Sequence, residues 1–307
     1  MKRLQGLVAA TYTPFDDGGA FNPDMVKPLV ERLLSEGVDG LYVCGSTGEG
    51  MSLSTTERKA VLESYVEASA GRVPVIAQVG HNSIAEAREL SRHAQQSGAD
   101  AVSATCPSYF KVDHAEQLIE CMAELASAAG DLPFYYYHIP ALTGSTIDMP
   151  AFLSMACESI PNLVGLKYAD TKLFEYQTCL LLQERRFDVV WGCDEMLLGA
   201  LATGASAAIG STYNVAAPLY RRLIDCVAGG RLDEAQELQM RSVQLVRALC
   251  RYPFHPAMKA LLTMRGLDVG GCRLPLGKMT ATDVTNMRSD LERIGYFEWG
   301  IVNEDRR

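Results

Sequence analysis

The sequence predicts a (β/α)8 barrel, an α/β fold in which eight parallel strands alternate with helices, followed by a helical C-terminal extension. Three observations support this: short apolar runs recur eight times, amphipathic stretches separate them, and the repeats occupy about 215 residues. Runs that are apolar at nearly every position are typical of strands buried on both faces. Eight such repeats favour a closed barrel. The competing fold is a Rossmann-type sheet, but no GxGxxG motif follows any of the runs.

The predicted strands begin 18 to 35 residues apart along the chain. They cover residues 7–14, 38–44, 73–79, 99–105, 132–138, 163–168, 187–192 and 205–210. Between them, residues 55–70 carry apolar side chains at helical spacing, and residues 83–97 open with Ser83 and Glu86 as in a capping box. After the eighth run the sequence predicts only helices, at 217–228, 231–250, 254–265 and 280–295. We therefore predict a barrel over residues 1–228 and an extension over 229–307 that forms one structural unit with it.

The composition restricts the classes of partner. The chain has 307 residues, of which 48% are hydrophobic, enough for one large domain. A net charge of -9 argues against nucleic acid or an anionic membrane as the main partner. No apolar stretch approaches the ~20 residues that a membrane helix needs. Nine cysteines, an odd number without metal-ligand spacing, indicate a reduced chain, so we expect a cytoplasmic protein.

The sharpest chemical signal is Lys167, which lies inside the sixth apolar run. Active sites of barrels lie at the C-terminal ends of the strands, and a charged lysine is costly to bury there. Burial favours the neutral amine, which is the form that attacks a ketone to give a Schiff base. The structural alternative is a strand-end lysine that reaches solvent or pairs with a carboxylate.

Tyr137 ends the fifth run, on the strand next to that of Lys167. A phenol in this position could pass protons to and from a substrate. The structural alternative is that Tyr135, Tyr136 and Tyr137 are an aromatic run whose rings alternate between the barrel core and the helices. We prefer that alternative for Tyr135 and Tyr136.

Two further strand ends carry polar groups. The Gly-Ser-Thr-Gly loop at 45–48 presents N–H groups and hydroxyls suited to a carboxylate, although such loops are common in ordinary turns. Asp194 and Glu195 follow the seventh run and could be an acid–base pair or metal ligands. Because no histidine lies nearby in sequence, hydroxyl recognition or helix capping is favoured. The five histidines show no metal spacing, and we expect His138 to come nearest to the site.

Together, Gly45-Ser46-Thr47-Gly48-Glu49, Tyr137 and Gly165-Leu166-Lys167 resemble the dihydrodipicolinate synthase/N-acetylneuraminate lyase family of class I aldolases. The resemblance covers almost the whole chain. Four further motifs resemble those of the family members that cleave N-acetylneuraminate. They are YYYHIPALTG at 135–144, GCDE at 192–195, GSTYN at 210–214 and RLPL at 273–276.

This resemblance implies a role for each matching residue. Lys167 corresponds to the Schiff-base lysine and Tyr137 to the proton-transfer tyrosine. Substrate-binding residues are implied at Ser46 and Thr47 for the carboxylate, and at Gly192, Asp194, Glu195 and Ser211 for the hydroxyl chain. Tyr109 is implied to reach the site of a neighbouring subunit, which makes a homotetramer the expected assembly.

The implied reaction is the reversible retro-aldol cleavage of N-acetylneuraminate, a sialic acid, to N-acetylmannosamine and pyruvate. The bond breaks beside a carbon held as an imine on Lys167. No metal or organic cofactor is therefore implied.

Two positions bear on which reaction of the family the chain would catalyse. Ala169 stands where lyases usually place Thr or Ser, which keeps a 2-keto-3-deoxy-sugar-acid aldolase as an alternative. Leu142 stands where dihydrodipicolinate synthases place an arginine, and leucine cannot bind a second carboxylate. A non-catalytic sialic-acid-binding barrel is a further alternative, because fold alone does not fix activity.

Overall fold

The computed structural model describes residues 3–299, in which eight parallel strands close into a barrel in chain order. The strands are β1 Gly6–Ala10, β2 Gly40–Val43, β3 Val75–Gln78, β4 Ala101–Ala104, β5 Phe134–His138, β6 Leu163–Tyr168, β7 Asp188–Trp191 and β8 Ala207–Gly210. The first strand pairs with both β2 and β8, which closes the sheet. Each predicted run begins within two residues of an observed strand, so the predicted barrel is confirmed.

Helices surround the barrel and continue beyond its last strand. They are α1 Val26–Ser35, α2 Thr55–Ser69, α3 Ile84–Gln96, α4 Ala115–Ala128, α5 Pro140–Thr143, α6 Met149–Ser159, α7 Leu173–Arg185, α8 Leu197–Ala202, α9 Tyr213–Ala228, α10 Leu232–Leu249, α11 Phe254–Met264 and α12 Ala281–Arg293. None of the helices within residues 3–299 combines the length and apolarity needed to cross a bilayer.

Local sequence accounts for the helix starts. Ser54 and Glu57 form a reciprocal capping box at the start of α2. At α3, the Ser83 hydroxyl accepts from the Glu86 N–H, but the Glu86 carboxylate accepts from Thr55 on the neighbouring helix instead of closing the box. Only half of the predicted capping box at 83–86 is therefore present.

The last barrel helix, α9, begins at Tyr213, four residues before its predicted start at 217. The chain leaves helical geometry at Ala216 (φ -146°, ψ 24°), just before Pro218, which has no N–H to donate. The polar residues that follow β8 thus form the first turn of a kinked helix. Helix α10 then packs along α9 and against the segment after β7.

The core has two layers because side chains alternate along each strand. Tyr135 and Tyr137 point into the barrel with Tyr42 and small apolar residues from the other strands. Tyr136 lies outside the sheet, with its ring centroid 5.0 Å from that of Phe152 on α6. This is the alternation predicted for the aromatic run, and it places Tyr137 inside the barrel near its C-terminal mouth.

Candidate active site

Lys167 lies inside the barrel, paired in register with Tyr137 of the adjacent strand. Its Nζ is 4.0 Å from the Tyr137 ring centroid and 4.1 Å from that of Tyr42, and the residue is only 4% exposed. Burial lowers the pKa of the amine to about 7, while the negative charge of Asp194 opposes this shift. A substantial fraction of Lys167 is therefore uncharged and nucleophilic near neutral pH.

Tyr137 is buried beside this amine. Burial raises the pKa of its phenol, and hydrogen bonding from Ser46 opposes the rise only in part. The hydroxyl is therefore neutral at physiological pH. It can donate a proton or relay one, but it carries no standing negative charge.

A cavity of about 290 Å³ opens over these two residues at the C-terminal mouth of the barrel. Eight of the nine predicted site residues line it: Ser46, Thr47, Tyr137, Lys167, Gly192, Asp194, Glu195 and Ser211. They come from five strand ends that are distant in sequence. The closure of the barrel is what brings them together.

Asp194 is the anionic group buried in this cavity. One carboxylate oxygen accepts from the Thr212 N–H at 2.8 Å and from the Thr212 hydroxyl at 2.6 Å. Burial raises the pKa of Asp194 to about 6, with the two Thr212 hydrogen bonds opposing the shift. The carboxylate is thus held in place by its neighbours and has its second oxygen without a hydrogen-bond partner in the described structure.

The loop after β2 also lines the cavity. The Thr47 and Ser211 hydroxyls lie 2.9 Å apart and form a hydrogen bond between the loops after β2 and β8. Glu49, at the end of the turn, adopts a left-handed conformation with φ 56°. Ser46 and Thr47 line the same cavity as Lys167.

Tyr109 is the ninth predicted residue, and it does not line the cavity. It is 79% exposed and packs edge-to-face on Phe110, which is 81% exposed, with 5.1 Å between the ring centroids. Its backbone N–H donates to Asn82. Within one chain, this side chain is left without a role in the pocket.

Sequence reasoning missed the wall that the C-terminal extension provides. Val246 on α10, Cys250 just after it, and Phe254 and His255 on α11 all line the cavity. Their apolar helical spacing predicts that these segments are helices but does not indicate which surface they cover. No sequence signal singled them out.

One cluster could hold a metal ion by its composition. The ligand atoms of His138, Asp170 and Glu175 lie within 4.8 Å of one another, in the layer between sheet and helices. The Lys172 ammonium already lies 3.2 Å from Asp170, and the Tyr168 hydroxyl donates to Glu175. His138 does not line the cavity, contrary to the expectation that it approaches the site, because it points outward from β5 onto Tyr168.

Comparison with known proteins places this geometry in a family. The Dihydrodipicolinate synthetase family matches residues 3–294. An N-acetylneuraminate lyase of Xenopus tropicalis is 39% identical over 286 residues, which cover 92% of this chain and 93% of the relative.

Two solved structures have the same fold over nearly the whole chain. An N-acetylneuraminate lyase from Proteus mirabilis is 37% identical, with a TM-score of 0.93 over 96% of this chain and 100% of its own. An N-acetylneuraminate lyase (sialic acid aldolase) from Aliivibrio salmonicida is 38% identical, with a TM-score of 0.93 over 96% and 98% of the two chains.

Proposed function

The chain belongs to the dihydrodipicolinate synthetase family, and we propose that it is a class I aldolase that cleaves N-acetylneuraminate reversibly to N-acetylmannosamine and pyruvate. The observation that carries this proposal is the buried Lys167 amine, with a pKa lowered to about 7, against the Tyr137 ring at the barrel mouth. Imine chemistry requires no metal or organic cofactor.

The Lys167 amine attacks the C2 ketone of the open-chain substrate, and loss of water from the carbinolamine gives a protonated imine. The C4 hydroxyl then loses its proton while the C3–C4 bond breaks. The bonding electrons move into the imine to give an enamine, and the sugar part leaves as an aldehyde. Protonation of the enamine at C3 and hydrolysis of the imine release pyruvate and restore the amine.

Tyr137 would act as a proton relay in this sequence. Burial keeps its phenol neutral, so it cannot act as a phenolate base on its own. It can accept the C4 hydroxyl proton only while it passes its own proton on, and the substrate carboxylate is the acceptor at hand. Ser46 and Thr47 would hold that carboxylate through their hydroxyls and the N–H groups of the turn.

The hydroxyl chain of the substrate would lie along the residues that follow β7 and β8. Asp194 and Glu195 can accept hydrogen bonds from sugar hydroxyls, and Ser211 can donate or accept. Gly192 can offer only backbone groups, and it packs tightly against the end of β6, since a Cβ at this position would lie 2.8 Å from the Ala169 Cβ. These four assignments are part of the proposal.

A 2-keto-3-deoxy-sugar-acid aldolase is the second candidate. It is favoured by Ala169, which lines the cavity with a methyl group where a hydroxyl would contact the sugar end. It would use Lys167 and Tyr137 in the same way. Leu142 also lines the cavity and offers no charge for a second carboxylate, which disfavours the dihydrodipicolinate synthase reaction.

We further propose that the enzyme is a cytoplasmic homotetramer that acts in carbohydrate metabolism. The exposed Tyr109–Phe110 pair supports an interface next to the barrel mouth, where Tyr109 of one subunit would reach the site of another. All nine cysteines are free, which suits a reducing compartment.

Pyruvate release from N-acetylneuraminate tests the function. We expect release by the parent protein and none by Lys167→Ala, because the imine cannot form. Tyr137→Phe should retain the imine but lose about 10²–10⁴-fold in turnover, the scale of one proton-transfer group. Lys172→Ala is the matched control, since this half-exposed lysine lies outside the cavity.

Borohydride reduction in the presence of pyruvate should attach the keto acid to Lys167. If the parent forms this adduct but releases no pyruvate from N-acetylneuraminate, the imine chemistry is supported and the proposed substrate is contradicted. 2-Keto-3-deoxy-sugar acids would then be the substrates to offer. A parent that forms no adduct would contradict the aldolase itself.

A further inference from the structure

The turn that carries Ser46 and Thr47 is held in an unfavourable backbone conformation. Cys44 at its start and Glu49 at its end have φ angles of 59° and 56°, in the left-handed region that costs energy for residues other than glycine. Such a conformation persists only when surrounding contacts enforce it. The turn has its own backbone hydrogen bonds, from the Glu49 N–H to the Ser46 carbonyl and from the Gly50 N–H to the Gly45 carbonyl, and the side-chain contacts of Glu49 add to them.

Lys259, on α11 of the C-terminal extension, supplies the main contact. Its Nζ lies 2.8 Å from Glu49 Oε1, and it also donates to the carbonyls of Thr13 at 2.9 Å and Gly271 at 2.7 Å. The ammonium thus has two carbonyl acceptors and one carboxylate as an ion-pair partner. Both charged side chains are at least 98% buried, so the pair is shielded from water and salt.

The Glu49 carboxylate and the turn also contact neighbouring segments. The Arg273 N–H donates to Glu49 Oε2 at 2.8 Å, and its guanidinium pairs with Glu57 at the start of α2. The Thr13 hydroxyl donates to the Gly48 carbonyl at 2.6 Å. One buried carboxylate thus links the turn after β2 to the loop after β1 and to the extension.

We propose that Glu49 and Lys259 are positioning residues that hold the turn so that Ser46 and Thr47 bind the keto-acid carboxylate. Neither lines the cavity, so they act through the turn rather than on the substrate. The inference rests on the proposed function only in naming the carboxylate as the ligand of the turn.

A cavity of about 800 Å³ lies on the far side of Lys259, between the segments at 15–19 and 270–279. It offers no competing explanation for the buried charge. The Lys259 ammonium already has an ion-pair partner in Glu49 and two carbonyl acceptors, and the Arg273 guanidinium binds Glu57 and the Gly19 carbonyl. The pair therefore serves the turn.

The test uses Glu49→Gln and the double variant Glu49→Gln/Lys259→Met in the full chain. The double variant removes both charges and so leaves no buried ion unpaired. The pyruvate concentration that half-saturates borohydride trapping should rise about tenfold, the scale of losing a hydrogen bond to a charged group. The trapping rate at saturating pyruvate should stay within about threefold, because Lys167 is untouched.

Glu36→Gln is the matched control. Glu36 forms a second buried ion pair with the extension, 2.8 Å from Arg265, but it lies before β2 at the opposite end of the barrel. It should lower stability to a similar extent without changing the half-saturating pyruvate concentration. An equal rise in this control, or no rise in the Glu49 variants, overturns the proposal.

Hydrogen exchange of the peptide spanning residues 44–53 gives a readout that needs no pyruvate. Protection should fall in both Glu49 variants and stay at the parent level in Glu36→Gln. If the parent traps no pyruvate, the proposed function fails while exchange alone decides whether the pair holds the turn. Unchanged hydrogen exchange in the Glu49 variants would refute the proposal that the Glu49–Lys259 pair holds the turn.

Discussion

At the scale of single residues, the burial of Lys167 sets a pH dependence. Only the neutral amine attacks pyruvate, and its pKa is lowered to about 7. The rate of imine trapping by the free enzyme should therefore rise with pH and reach half its plateau near pH 7. The Asp194 carboxylate raises this pKa, so Asp194→Asn should move the midpoint to lower pH.

Asp170→Asn is the control for this profile, because Asp170 pairs with Lys172 and lies outside the cavity. Its midpoint should equal that of the parent. A parent midpoint near the ordinary lysine pKa of about 10.4 would show that burial does not control the amine.

The sequence identified eight of the nineteen residues that line the cavity, because they lie at or near the ends of apolar runs and barrel topology brings such ends together. Lys167 was recognisable because lysine rarely occupies an apolar strand. Phe254 and His255 were not, because apolar spacing gives the phase of a helix but not the surface that it covers. The Glu49–Lys259 pair joins residues 210 positions apart, a contact that a sequence pattern does not specify.

At the scale of elements, the close packing of β6 against β7 requires a glycine at position 165, within β6. A Cβ added at Gly165 would lie 1.8 Å from the Asp188 carbonyl oxygen. Gly165→Ala should therefore lower the free energy of unfolding by about 1–3 kcal/mol, the usual cost of overpacking. The urea midpoint should fall with an unchanged m-value.

Gly271→Ala adds the same methyl group into open space, and its midpoint should not move. If both variants unfold at the parent midpoint, the packing of β6 against β7 is looser than the structure indicates.

Strand starts were predictable to within two residues because strands buried on both faces are nearly continuous apolar runs, whereas the first predicted run, 7–14, ends four residues beyond β1. The start of α9 was predicted four residues late, because its first turn carries polar site residues and the kink precedes Pro218. The connection from β7 to β8 is short because α8 has only six residues. Element type follows from periodicity, whereas element ends depend on tertiary contacts.

At the scale of the whole molecule, one surface feature points beyond the single chain. Tyr109 and Phe110 expose most of their ring area side by side, just after the strand end of β4. Adjacent exposed aromatic rings are typical of interaction surfaces. Sequence pattern cannot supply the geometry of an assembly, so the homotetramer remains a prediction.

Light scattering tests the tetramer, and we expect a mass four times the 33.5 kDa of the chain. Tyr109→Ser should weaken assembly and reduce pyruvate release, since in the proposed arrangement Tyr109 completes the site of the neighbouring subunit. Leu232→Ala removes a half-exposed apolar residue from the start of α10 and should change neither quantity. A parent mass of one chain refutes the assembly, whereas a fully active tetrameric Tyr109→Ser variant refutes only the role of Tyr109. The two outcomes thus separate the interface from the completeness of the site.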